Sequence, residues 1–272
     1  MRIIYGKWKR DEVPERNGRQ FRKYHNKHVK IRTKMITPQL HTFDSLEPLL
    51  EEMAAQSLRI LQPSGNIASI ALTGGRTARS LYQKICETAL DIPVRWRNVH
   101  FFWGDERCVP LTDEESNFKL ARESLLTPLR IHPSNIHPIP VHLSPVEAAA
   151  KAESDYRKFL QEQGADSLIL VLLSMGEDGH IASIFPDSIR EAENSPLIYR
   201  SVTAVKPPPQ RITLNYSPLV QAKQVLVIAV GTEKRQLLSS ILDKKSNYAQ
   251  LPLARLIELR SQNGHPTDLY TV

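Results

Sequence analysis

From residue 44 onward the chain alternates between two hydrophobic periods. "FDSLEPLLEEMAAQSLRILQ" carries apolar residues at helical spacing behind Asp44 and Ser45, which predicts an amphipathic helix ending before "PSGN". "IASIALTGG" is a short apolar run stopped by two glycines, and "TARSLYQKICETAL" then resumes the helical spacing. Strand, glycine turn and helix are the opening of a βαβ unit. The phrase returns in "VHFFWGDER" followed by "SNFKLARESLL", in "SPVEAAAKAESDYRKFLQEQ" followed by "SLILVLLSMGEDGH", and in "QVLVIAVGTEKRQLLSSIL". Strands that are apolar on both faces and separated by helices predict an α/β fold, doubly wound, with a mostly parallel sheet and helices on both faces.

Ligands of open parallel sheets bind beyond the carboxyl ends of the strands, near a topological switch point. "TGGRT", "GDER", "GEDGH" and "GTEKR" each follow a strand directly, so four polar loops are expected at one edge.

Length, 272 residues with 41% hydrophobic and 24% charged, fits a globular α/β chain. The net charge of +7 points to nucleic acid until it is located: residues 1–34 hold 12 Lys/Arg and 3 Asp/Glu, and the remainder 24 and 26. Residues 1–34 therefore read as a basic, disordered extension, and 35–272 as a single α/β domain beginning at Met35. No apolar run approaches the roughly 18 residues of a membrane-spanning helix, and no leader is visible, so a cytoplasmic protein is expected. Cys86 and Cys108 lie in no metal-binding or disulfide pattern.

In "TGGRT", Gly74 and Gly75 let the backbone approach a ligand, and the helix start that follows offers free N–H groups to an anion. Arg76 adds a forked cation, and Thr73 and Thr77 add hydroxyls. The loop lacks the lysine of a P-loop and the spacing of a dinucleotide fingerprint, so neither ATP nor a dinucleotide is indicated. In "GDER", Asp105 and Arg107 alternate along an extended segment and are expected on one side. His180, placed by the pattern at the first turn of a helix, is a candidate general base, with Glu177 and Asp178 both available to orient it. Lys206 and Arg211 in "KPPPQRITLN", and Lys234 in "GTEKR", are cations able to answer an anion. His132, His137 and His142 are separated by prolines and read as loop residues, and no spacing fits a metal site or a nucleophilic serine. What remains is base-assisted attack of water on an activated, phosphate-bearing substrate.

Assembled in order, "ALTGGRTARSLY", "VHFFWGDERCVP" with "ESNFKLARESLL", "LLSMGEDGHIASIFP", "KPPPQRITLN" and "AVGTEKR" resemble the 6-phosphogluconolactonase family, from about residue 40 to about residue 255. The resemblance implies hydrolysis of 6-phospho-D-glucono-1,5-lactone in the oxidative pentose phosphate pathway, with a phosphosugar lactone as small-molecule partner and no metal or cofactor. It implies His180 as the base toward water, Asp105 as an orienting carboxylate and Arg107 as a phosphate ligand. Gly74, Gly75 and Thr77 fall on the family's phosphate loop, and Lys206 and Arg211 on basic residues of the substrate side. Two departures stand out. The loop, usually Gly-Gly-Ser-Thr-Pro, reads "GGRTA" here with Arg76 and Ala78, and the C-terminal "ELRSQNGHPTDLYTV" lacks the usual tryptophan-plus-aspartate ending. The glucosamine-6-phosphate deaminase group shares "GHIA" but continues into Phe-Asn-Glu-Pro, whereas this chain reads "GHIASIFP". A sugar-phosphate sensor acting on nucleic acid would need a binding unit that residues 1–34 do not display.

Overall fold

The computed structural model describes residues 36–62, 67–245 and 248–272. The basic segment 1–34 lies outside them.

The strands are β1 (Gln39–Thr42), β2 (Ala68–Leu72), β3 (Val99–Trp103), β4 (Asp105–Arg107), β5 (Leu170–Ser174), β6 (Tyr199–Thr203), β7 (Gln210–Leu214), β8 (Gln224–Ala229) and β9 (Asp268–Thr271). The helices are α1 (Leu46–Leu61), α2 (Arg76–Thr88), α3 (Asn117–Ala121), α4 (Pro145–Gln163), α5 (Ile189–Asn194), α6 (Tyr216–Gln221), α7 (Thr232–Leu242) and α8 (Pro252–Gln262). Six strands form a parallel sheet in the order β1-β9-β8-β5-β2-β3. All of β2 is buried, as its apolar run requires, and β5 and β8 are buried over nearly their full length. From β2 the chain passes to β3 on one side and later to β5 on the other, so the switch point lies between β2 and β5.

Helix ends follow local chemistry. Ser144 and Glu147 form a capping box at the start of α4, and Gly164 ends that helix in the left-handed conformation. The segment expected as one helix over "SNFKLARESLL" is α3 followed by a wider π-type turn over Arg122–Leu126.

The second sheet departs from the sequence reading. "GDER", expected as a charged turn, is strand β4, and it pairs antiparallel with β7, which pairs with β6. Gly104 separates β4 from β3: its N–H donates to Leu72 O at 2.8 Å, and its carbonyl accepts from Leu214 N at 2.7 Å. A three-residue strand is too short to show a period, and its partner lies about a hundred residues downstream. The C-terminal "DLYT" was likewise unassigned by pattern and forms β9, buried between β1 and β8.

Candidate active site

A cleft of about 760 Å³ opens where the carboxyl ends of β2 and β5 meet the small sheet. Thr73, Gly74, Gly75, Asp105, Arg107, His180, Lys206, Arg211 and Lys234 line it, so all four polar loops reach one place. Arg76 and Thr77 begin α2 behind the glycines and are not among the lining residues.

The glycine loop is pinned from beneath. Tyr82 of α2 donates its hydroxyl to Thr73 O at 2.6 Å and accepts from Thr73 N at 2.9 Å. Thr73 Oγ1 in turn accepts from Ser174 N at 3.3 Å, which joins the ends of β2 and β5. Gly75 caps α2 at φ 97°, a conformation that disfavours any side chain. Lys234 sits in the first turn of α7, half-buried, and burial together with the charge of Arg76 holds its ammonium below the usual lysine range. A cation there opposes the helix dipole unless an anion faces it.

Asp105 and Arg107 face the cleft from alternate positions of β4, while Glu106 between them turns inward. Asp105 is 5% exposed. Its Oδ2 accepts from Ser183 Oγ at 2.6 Å and its Oδ1 from Asn117 Nδ2 at 3.2 Å. Glu106 accepts from the backbone N–H groups of Arg107, Asn117 and Phe118 at 2.7–2.8 Å and from Ser116 Oγ at 3.1 Å. Burial pushes its carboxyl above the ordinary range, against the pull of those three N–H donors. Glu106 is thus the internal post on which β4 and α3 stand.

Arg107 pairs in register with Arg211 of β7. Arg107 donates to Glu115, through Nη1 to the backbone O at 2.7 Å and to Oε2 at 3.0 Å, while its buried Nε has no partner. Arg211 donates to Pro208 O at 3.1 Å and Lys206 O at 3.4 Å, and so braces the proline loop. Burial and the adjacent Arg107 hold Arg211 below the usual arginine range.

His180 corrects the sequence reading. It does not open a helix. Residues 176–184 form consecutive turns, with reciprocal bonds between Ile181 and Ile184 and Ala182 at φ 49°, and helical turns begin only at Pro186. Left-handed backbone at Ala182 interrupts a helix, and Pro186, whose φ is fixed, sets the start of the next. The ring is oriented by neighbours instead. Its Nδ1 lies 2.5 Å from Asp178 Oδ1, and the same oxygen accepts the His180 backbone N–H at 3.1 Å. An ionised carboxylate only accepts, so Nδ1 carries the proton and Nε2 keeps its lone pair. Burial would raise the Asp178 carboxyl, but the electrostatic pull of the adjacent imidazole and these hydrogen bonds bring it below its ordinary value. The structure thus selects Asp178 over Glu177. Gly176, which the sequence reading passed over, makes room: a Cβ there would fall 2.1 Å from the imidazole. The glycine ahead of the acidic turn is the signal that a ring packs on the backbone there.

Among the described residues no group of three or more His, Cys, Asp or Glu is arranged to hold a metal, and no helix is long and apolar enough to cross a membrane. His137 is more than a loop residue. Its Nε2 lies 2.9 Å from His100 Nδ1, and its ring stacks on Phe102.

A parallel sheet with a cationic cleft at its switch point and an oriented imidazole defines an α/β protein with an anion-binding site suited to base-assisted chemistry. The family model for glucosamine-6-phosphate isomerases/6-phosphogluconolactonases matches residues 41–265, and the chain belongs to that family. Its curated relatives include the 6-phosphogluconolactonases of Treponema pallidum, 33% identical over 68% of this chain and 75% of the relative, and of Mycobacterium leprae, 34% identical over 71% and 80%. Among solved structures, the 6-phosphogluconolactonase of Trypanosoma cruzi superposes with a TM-score of 0.73 at 28% identity, over 86% of this chain and 94% of that one. The Thermotoga maritima 6-phosphogluconolactonase gives 0.72 at 26% identity, over 87% and 100%.

Proposed function

We propose that the cleft hydrolyses 6-phospho-D-glucono-1,5-lactone to 6-phospho-D-gluconate, with His180 as general base. The observation that carries the reading is the imidazole held by Asp178 at 2.5 Å in the same cleft as two arginines in direct register. The phosphate is taken by Arg107, Arg211, Lys206 and the loop Gly74–Gly75, with Arg76 and Thr77 supporting that loop from the start of α2. Asp105 orients the sugar, each of its oxygens keeping a lone pair for a hydroxyl.

Nε2 of His180 removes a proton from water as the water oxygen bonds to the lactone carbonyl carbon. The carbonyl oxygen becomes an oxyanion, stabilised by nearby donors and cations. When the tetrahedral intermediate collapses, the bond from that carbon to the ring oxygen breaks. The ring oxygen takes the proton from the imidazolium and becomes a hydroxyl, and the new carboxylic acid loses its proton to solvent. A lactone is an activated ester, so one base and an electrostatic environment are sufficient.

The catalytic domain in this reading is 35–272, with 1–34 an extension, a cytoplasmic setting and no nucleic-acid partner. The test is lactone hydrolysis near pH 6.5 with substrate generated in situ, comparing protein, buffer and His180→Ala. Acceleration by the protein and its loss in the variant are expected. Folded protein that leaves the spontaneous rate unchanged, or that releases ammonia from glucosamine 6-phosphate, overturns the reading.

A further inference from the structure

Asn117 touches two parts of the cleft that come from different strands. Its carboxamide nitrogen donates to Asp105 O at 2.9 Å and to Asp105 Oδ1 at 3.2 Å. On its other side the amide lies against the glycine loop: a Cβ built on Gly74 would fall 1.9 Å from Asn117 Oδ1 and 2.4 Å from its Cγ. Gly74 is not among the glycines at positive φ, so the missing side chain answers the approach of Asn117 and not a backbone requirement. Asn117 lines the cleft at only 1% exposure.

The amide is itself held from behind. Asn117 N donates to Glu106 Oε1 and Phe118 N to Glu106 Oε2, each at 2.7 Å. Ser116 Oγ also donates to Glu106, at 3.1 Å. The first turn of α3 is therefore anchored independently of Asp105. With Ser183 occupying Oδ2, the carboxylate of Asp105 is gripped on both oxygens and has lost its rotation.

We propose that Asn117 is a positioning residue, its carboxamide fixing Asp105 and the Gly74–Gly75 loop in one mutual geometry. The inference rests on the lactonase reading above. Asp105 meets the sugar and the loop meets the phosphate, so the amide sets the distance between two ends of one substrate. Misplacement by about 1 Å costs on the order of 100-fold in rate. Neither the carboxylate nor the loop holds that distance alone.

The experiment is a double-mutant cycle on lactone hydrolysis with Gly74→Ala, Asn117→Ala and the pair. Each single variant is expected to lower kcat/KM by roughly 10- to 100-fold, because alanine at 74 pushes the amide off Asp105 and alanine at 117 removes it. The pair is expected to equal Asn117→Ala alone, since the added methyl then meets no amide. Thermal melting monitors the fold. If Asn117→Ala melts more than about 10 °C below the parent, Asn117→Ser, which leaves less empty space and does not reach Asp105, replaces it. Multiplicative losses in the pair, or full activity in the folded Asn117 variant, overturn the inference while wild-type hydrolysis leaves the lactonase reading standing. A wild-type protein without hydrolysis overturns the reading itself.

Discussion

Arg107 of β4 and Arg211 of β7 stand directly opposite one another in antiparallel register, and both line the cleft. Like charges directly opposed across strands are destabilising. Glu115 answers one side of Arg107, but the Nε of that side chain is buried without a partner, and Arg211 spends its bonds on backbone carbonyls. In the proposed reading, the substrate phosphate is the anion that answers this pair.

Arg107→Gln should raise KM by about 10- to 100-fold with a smaller change in kcat, because a charge-assisted bond contributes about 1.5–3 kcal/mol. The ligand-free variant should melt no lower than the parent, since repulsion across the strands is relieved. Melting curves with and without 6-phosphogluconate check both halves: the stabilisation by ligand should shrink in the variant. An unchanged KM would remove Arg107 from the binding site.

Loss of the imidazole in His180→Ala should lower kcat by about 100- to 10,000-fold, the usual span of general-base assistance. Asp178→Asn keeps the size but offers no carboxylate to Nδ1–H, and an intermediate loss is expected. Gly176→Ala tests the ring's seat, since its methyl would fall 2.1 Å from the imidazole. That variant should fold normally and lose activity through kcat. Full activity in a folded His180→Ala protein would exclude His180 as the base.

Glu106→Ala leaves three backbone N–H groups and the Ser116 hydroxyl without their acceptor. A loss of about 3 kcal/mol follows from buried unsatisfied donors, or a fall of about 10 °C in Tm. Glu106→Gln retains one acceptor oxygen and should fall between. Denaturant titration measures the difference, and equal stability of all three proteins would contradict the buried post.

Burial, with the charge of His100 adding to it, brings His137 down from about 6.5 to about 4, and burial also lowers His100. Asp155 is the opposing charge, and Phe102 and Phe159 complete the surroundings. A histidine with a depressed folded pKa binds fewer protons folded than unfolded between the two values, so stability falls as pH drops through that window. After allowance for partial exposure the effect is about 2 kcal/mol. Tm should therefore drop by several degrees from pH 7 to pH 4, and His137→Phe should flatten that slope.

The repeated strand, glycine turn and helix were legible because hydrophobic period, capping and turn chemistry are local properties of a few consecutive residues. That sufficed for the parallel sheet, for the end of the sheet where the loops gather, and for His180, Asp105 and Arg107 as residues of interest. The small sheet was not legible, because β4 is only three residues long and finds its partner across a long stretch of chain. Only that pairing sets Arg107 against Arg211 and turns Glu106 inward. Tertiary structure likewise decided that Asp178 rather than Glu177 holds the imidazole, that His180 lies in a turn, and that Asn117 fills the space beside Gly74. These are distances between segments remote in sequence, set by packing and register, and no local period encodes them.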